Sequence, residues 1–487
     1  MKVRLPLMIQ DPKLSGYEHL KRIVERPYLK EDEFLDGPAC SRLVVRDRDP
    51  ATGEEIPGVS YVPPSGGRKL GRYPIANEKD IYSADFLAVS AFGMVLHTMH
   101  MFEEEDTLGR PLNWAFDGPL SIVPRAGYDA NARYNRGTRS LKFYYFGKPE
   151  KRVYTALSRD IICHETGHAV LDGLAPHLMA ARLEKNPQTW ALHESVSDLT
   201  SVVMSFRSGH LREAILEETR GSIDDVSAFS SLAEELGQEY FSLDCLRDLR
   251  SPLRIADVGP GDGYGLSQVL SAALYKMIIG MHKRWWQKFS GEGAALDYSL
   301  SGKALAIAVE HFKRMIFRAL DYLPPVNVSF ADYGRAIIAA DQASHPNDPE
   351  EREFICQEFT ERGIVASPEE MEVETDYEHP AVTELDLEAV KGDDAAAHAF
   401  VEQNRDLLNI PAGVAFTLAP RLDVTKLYYH RGGRRRRVRE CLVKVWWELS
   451  KQKSSGGEPS VKAGTTLAID WKTRRVRAVL TSDPGTA

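Results

Sequence analysis

Ile161-Ile162-Cys163-His164-Glu165-Thr166-Gly167-His168-Ala169-Val170 decides how the rest of the chain is read. His164 and His168 are four residues apart, so a helix places both imidazoles on one face, one turn from each other. Glu165 lies between them, where its carboxylate reaches a water on a metal without replacing that water as a ligand. A catalytic zinc takes three protein ligands and keeps one position open, so a third ligand has to come from elsewhere. The next helical segment, His193-Glu194-Ser195-Val196-Ser197-Asp198-Leu199, offers a candidate. Glu194 and Asp198 are again one turn apart, so one can ligate while the other orients a ligand histidine. The competing reading of the bare motif is a buried helix with two hydrogen-bonded histidines. The second acidic pair weighs against it.

Upstream of the motif, Ser83 to Phe102 has the spacing of a long apolar helix through Phe86, Val89, Phe92, Leu96 and Met99. His97 and His100 on it lack acidic company and read as packed core histidines. Leu120-Ser121-Ile122-Val123, Asn131 to Asn135 and Leu141 to Phe146 then read as strands, with alternation and aromatics that suit antiparallel pairing. Residues 1–78 are rich in Pro, Gly and charge and read as a lead-in arm laid on the core.

Downstream, apolar residues recur at helical spacing over 190–208, 228–240, 267–286, 302–321, 329–342 and 348–362. Ser329-Phe330-Ala331-Asp332 has the form of a capping box. A β-rich part followed by an α-rich part, with the motif between them, is an α+β arrangement of two lobes. Composition turns acidic from Glu369 to Asp376, where a linker is expected. Beyond it, 377–487 reads as a small β-rich domain. Its run Arg431-Gly432-Gly433-Arg434-Arg435-Arg436-Arg437 falls at an expected hairpin turn, and a solvated turn is a better reading than a nucleic-acid or lipid contact.

The 487 residues are 43% hydrophobic and 27% charged, enough to bury a large core without staples. A net charge of −9 argues against general binding of nucleic acid. Cys40, Cys163, Cys245, Cys356 and Cys441 form no CxxC pair and read as reduced thiols. The N-terminus lacks the apolar run of a signal peptide, and no uninterrupted apolar stretch reaches membrane-spanning length. A cytoplasmic protein is the expectation.

Taken together, residues 80–365 resemble the thermolysin-like zinc metallopeptidases of the gluzincin group, and the missing signal peptide is similar to the protealysin-like subgroup. The resemblance implies a two-lobe catalytic domain over 79–366, β-rich to about residue 160 and helical after it. It implies one zinc ion on His164, His168 and Glu194, with Asp198 holding the first histidine. It further implies an endopeptidase in which Glu165 takes a proton from the attacking water and returns it to the leaving amine. Asn131-Ala132 resembles the family's edge strand that pairs with extended substrate. Leu249-Arg250-Ser251 resembles the segment whose arginine binds the substrate carbonyl beyond the cut. Ile161 and Leu249 then fall on the apolar pocket for the residue after the cut, which implies a preference for apolar residues there.

Four departures qualify the resemblance. Tyr264, in Tyr264-Gly265-Leu266-Ser267-Gln268, stands where family members carry a histidine that donates to the oxyanion; a phenol donates the same bond. The spacing from His168 to Glu194 is longer than in thermolysin, which implies an enlarged loop over 176–192 that reshapes or covers the cleft. His193 replaces an asparagine before the zinc glutamate, and serves either in support of the ligands or as a competing ligand. Asp160 matches one ligand of the family's calcium pair, but its partner position holds Ser205, so no calcium is expected. Two other readings are weighed: an aminopeptidase, which lacks its Gly-x-Met-Glu-Asn motif here, and a zinc-bound scaffold with a covered cleft. A scaffold has no chemical need for Glu165.

Overall fold

The computed structural model describes residues 1–12, 24–49, 51–179, 186–291, 298–344, 349–429, 435–449 and 461–482. The fold is mixed α+β, and its organising element is the long apolar helix Ala84–Glu103. Ser83 caps that helix by accepting from the Phe86 amide, and Phe86, Val89, Phe92, Leu96 and Met99 are all fully buried. The helix is long and apolar enough to cross a membrane, yet it is wrapped by the rest of the chain. Leu5 and Leu7 of the N-terminal arm press on its Gly93, where an added Cβ would come within 2.6 Å of Leu7. With Met8 and Ile9 also buried, the arm is part of the core.

A four-stranded sheet runs in the order Leu43–Val45, Leu120–Val123, Ser140–Phe143, Ala132–Asn135. The antiparallel expectation is corrected: the first three strands are parallel, and only Ala132–Asn135 runs antiparallel, against Ser140–Phe143. Leu120, Ile122, Leu141 and Phe143 are fully buried, which fits strands covered on one face by the long helix. Ala132–Asn135 is the edge strand, and it faces the motif helix.

The motif helix Arg159–Leu174 starts at Ser158, whose hydroxyl accepts from the Ile161 amide. Gly167 lets the following helix approach closely: an added Cβ would lie 3.0 Å from the Ser197 Cα. That second helix, Pro187–Arg207, begins at the Asn186 cap with Pro187 in its first turn. The enlarged loop expected over 176–192 is therefore shorter at its far end, because 187–192 are helical; residues 180–185 lie outside the described residues. The helix Gly209–Glu218, which the periodicity did not single out, follows directly.

The helix expected over 228–240 is corrected in its first half. Ser231–Leu232 instead forms a strand with Arg247–Asp248, and Ala233 at φ 53° breaks the chain, so the helix starts only at Glu234 and continues through a π-helical turn at Gly237–Phe241. Leu232 and Leu236 have helical spacing because both face the cleft, not because they share a helix. Helices Gly263–Ser290, Tyr298–Tyr322, Phe330–Ser344 and Glu350–Glu361 complete this part. The capping box at Ser329 is formed, with the Ser329 amide donating to Asp332 Oδ2 at 2.8 Å and the Asp332 amide donating to Ser329 Oγ at 3.1 Å.

Residues 377–482 begin with three short helices and end in a five-stranded antiparallel sheet. The long strand Arg435–Leu449 pairs with Leu422–Tyr429 and Phe416–Leu418 on one side and Val461–Asp470 on the other. Tyr429 opposes Arg435, so a hairpin is in place, while the basic turn at 431–434 lies outside the described residues. One face of this sheet covers a core of its own with Val382, Leu387 and Phe400. Val424, Leu442 and Ala468 join the main core. The acidic stretch expected as a linker is likewise packed, with Met371 buried against Gly334.

Candidate metal centre

Three side chains converge at one point. His164 Nε2 lies 3.6 Å from Glu194 Oε2, and His168 Nε2 lies 3.8 Å from Glu194 Oε1. Ligand atoms about 2.0–2.2 Å from a tetrahedral ion are separated by roughly 3.4 Å, so the spacing matches a three-ligand seat with an open fourth position. Both imidazoles are turned inward by partners on their other nitrogen. Asp198, which is buried, lies 3.0 Å from His164 Nδ1 and itself accepts from the Ser271 hydroxyl. Ser197 donates to the His193 carbonyl and lies 2.9 Å from His168 Nδ1. Each histidine thus keeps Nε2 for a metal.

Electrostatics favour a cation here. Burial disfavours charge on His164, but hydrogen bonds to Asp198 and Glu194 and the charges of Asp198 and Glu165 outweigh it and lift the imidazole to about 10. Burial holds His168 well below the ordinary histidine range. Glu194 is held well below the carboxylate range, its burial outweighed by His168 and His164. His168 is thus a neutral imidazole and Glu194 an ionised carboxylate, the states a zinc ion binds, while the proton on His164 is one that a bound cation would displace.

His193 stacks on His168 with ring centroids 4.6 Å apart, its Nδ1 2.7 Å from His168 Nδ1. His193 lines the cleft beside His168, and the donor atoms close enough to share one ion are those of His164, His168 and Glu194. Glu165 is buried beside the ligands and accepts from the Tyr134 amide at 2.5 Å. Burial, with the Glu194 charge adding, lifts it to about 7 against the pull of His164 and that amide.

The remaining expected residues fall into two groups. Asn131, Ala132, Ile161 and Tyr264 line the cleft of about 440 Å³ around the centre. Asn131 also accepts from the Ala132 amide through its own side chain. Leu249 and Arg250 do not line the cleft. Leu249 is buried in the core, and Arg250 is exposed, its amide donating to Asp248. Leu246 and Arg247 line it instead. The chain carries Leu-Arg twice within Leu246-Arg247-Asp248-Leu249-Arg250, and pairing of Leu232 with Arg247 sets which copy faces the cleft. Arg247 Nε is 3.9 Å from Asp198 Oδ2, and its guanidinium lies 5.0 Å from the Tyr264 ring centre.

Several cleft residues had no signal in the sequence. Trp190, one turn before Glu194, packs edge-on to Tyr264 at 4.9 Å. It lies so close over Gly263 that a Cβ there would come within 1.7 Å of the indole. Tyr264 is thereby held between Trp190 and Arg247 on the first turn of its helix. On the far side, buried Asp172 of the motif helix accepts from the Tyr134 hydroxyl at 2.6 Å and pairs with Arg136. This pins the edge strand to the motif helix. The carboxylate at Asp172, four residues after His168, was the available sign.

Ser205 Oγ donates to Asp160 Oδ1 at 3.2 Å, so a hydroxyl occupies the position where a second calcium carboxylate was looked for. Comparison of the chain with protein-family models and with curated proteins gave no match.

Proposed function

We propose that this chain is a zinc-dependent endopeptidase whose α+β body is arranged as the two lobes of a thermolysin-like enzyme. The reading is carried by one juxtaposition: His164, His168 and Glu194 converge beside the buried carboxylate of Glu165, along a free strand edge. A zinc ion held there would polarise the scissile carbonyl and acidify water. The protein supplies the rest. Asp198 and Ser197 hold the two imidazoles in register. The edge Ala132–Asn135 offers main-chain groups to an extended peptide, and Asp172 keeps that edge against the motif helix.

Glu165 takes a proton from the attacking water and gives it to the departing amine; the Tyr134 amide aims its carboxylate. Tyr264 and Arg247 face the same space as hydrogen-bond donors for carbonyl oxygen, with Trp190 fixing the phenol ring. Ile161, Leu236 and Leu246 give the pocket beside His164 apolar walls.

A quenched peptide library, with bound zinc measured in parallel, tests this. Zinc-dependent cutting within peptides, abolished in Glu165→Gln with zinc retained, is the expected result. Trimming from free N-termini alone would replace the reading with an aminopeptidase. Absence of any cutting by zinc-loaded protein would replace it with a scaffold.

A further inference from the structure

The cleft does not end at the metal centre. Asp160, His164 and His168 follow one another at four-residue steps, so Asp160 lies one turn behind the first histidine on the same helix face. It is half-buried and closes a pocket whose walls are Ile161, Leu232, Leu236 and Leu246. Behind it stands Asp11 of the N-terminal arm, 5% exposed, facing Asp160. Asp11 Oδ2 has no hydrogen-bond partner among the described residues. Glu234 is close to both.

Of these three carboxyls Asp160 lines the cleft, and Asp11 and Glu234 stand close to it. Burial lifts Asp11 to about 7, Asp160 to about 6 and Glu234 to about 8, with mutual repulsion adding at Asp11 and Glu234. Arg159 is the neighbouring cation, but its guanidinium donates to the carbonyls of Ile9 at 3.2 Å and Met204 at 2.7 Å. Without a cation beside them these buried carboxyls hold protons, and a cation from outside that displaced those protons would give the carboxyl cluster a charged partner.

We propose that this pocket takes a basic side chain of the substrate, Lys or Arg, next to the scissile bond. The aliphatic stem lies along Ile161, Leu236 and Leu246, and the cation meets Asp160. A four-carbon lysine stem spans roughly 6 Å, about the rise of four helical residues, which is the separation of Asp160 from His164 along the helix. The inference rests on the endopeptidase reading and refines it: the walls are apolar, as the resemblance implies, but the end is acidic.

The test uses one peptide sequence with Lys, Arg, norleucine or Glu beside the cut. For the wild-type enzyme, kcat/KM for Lys and Arg should exceed that for norleucine by tenfold or more, with Glu the poorest. Asp160→Asn should erase that advantage, bringing kcat/KM for the Lys and norleucine peptides within about twofold of each other. Norleucine preferred over Lys in wild type, a ranking that needs no variant, would overturn the proposal. So would calcium binding lost in Asp160→Asn with the side-chain ranking unchanged. Binding of the same peptides to zinc-loaded Glu165→Gln separates the two levels of inference. Tighter binding of the Lys peptide without turnover in wild type keeps the pocket and discards the reaction; equal binding discards the pocket.

Discussion

Two clusters of buried charge in the molecule are built on opposite plans. Where the C-terminal sheet meets the helices, Asp321 pairs with Arg110 at 2.5 Å and with Lys426 at 2.9 Å. Glu440 accepts from Tyr322 at 2.9 Å and Tyr428 at 2.8 Å, and Lys444 donates to the Leu323 carbonyl at 3.0 Å. Every charge there is answered by protein, and Lys426, Glu440 and Asp321 are sealed from solvent. At the candidate metal centre, two imidazoles and a carboxylate converge, and the cleft reaches them. Opposite signs that close on each other hold a fold together. Like donors that converge and stay accessible leave room for a ligand.

Substitutions can break that contrast. The largest effect is expected from Glu165→Gln, which should lower peptide cleavage by roughly 10²–10⁴-fold while zinc content and thermal stability stay at wild-type values. Asp321→Ala should do the reverse, costing roughly 3–5 kcal/mol of folding stability by chemical denaturation, with zinc still bound at equal stoichiometry below the transition. Should Asp321→Ala abolish zinc binding and leave stability alone, the distinction between the two clusters would fail.

A finer test separates the two Leu-Arg copies. Arg247→Ala should reduce kcat/KM about 10–100-fold, the loss of one charge-assisted hydrogen bond, whereas Arg250→Ala should leave it unchanged. The smallest expected effect concerns Asp11, which faces Asp160 and Glu234 and takes hydrogen bonds from Ser158 and the Glu235 backbone. Its folded-state pKa, about 7, lies above the ordinary value of 3.8, so the folded protein holds a proton that the unfolded chain releases. Its contribution to stability is present below about pH 4 and is lost as pH rises toward 7. Asp11→Asn should therefore raise the melting temperature by a few degrees at pH 8, with the gain fading toward pH 4.

The cleft also shows how a correct pattern can mislead. Leu232 and Leu236 have helical spacing, and Leu249-Arg250 matches the expected dipeptide, yet Ala233 breaks the first and strand pairing passes over the second. Both errors have one cause. Periodicity reports that residues share a face, while register and left-handed turns decide which face that is.

What the amino-acid sequence determined by itself was local. A four-residue step places His164 and His168 on one helix face and Glu194 and Asp198 on another, and the Ser329 box starts its helix, because each arrangement depends only on neighbours within a turn. Gly167 at the helix contact, Trp190 over Gly263, Asp172 under the edge strand and Asp11 behind Asp160 belong to the tertiary structure alone. Those contacts join residues far apart in the chain, and nothing in a residue's own spacing records which distant surface will be packed against it.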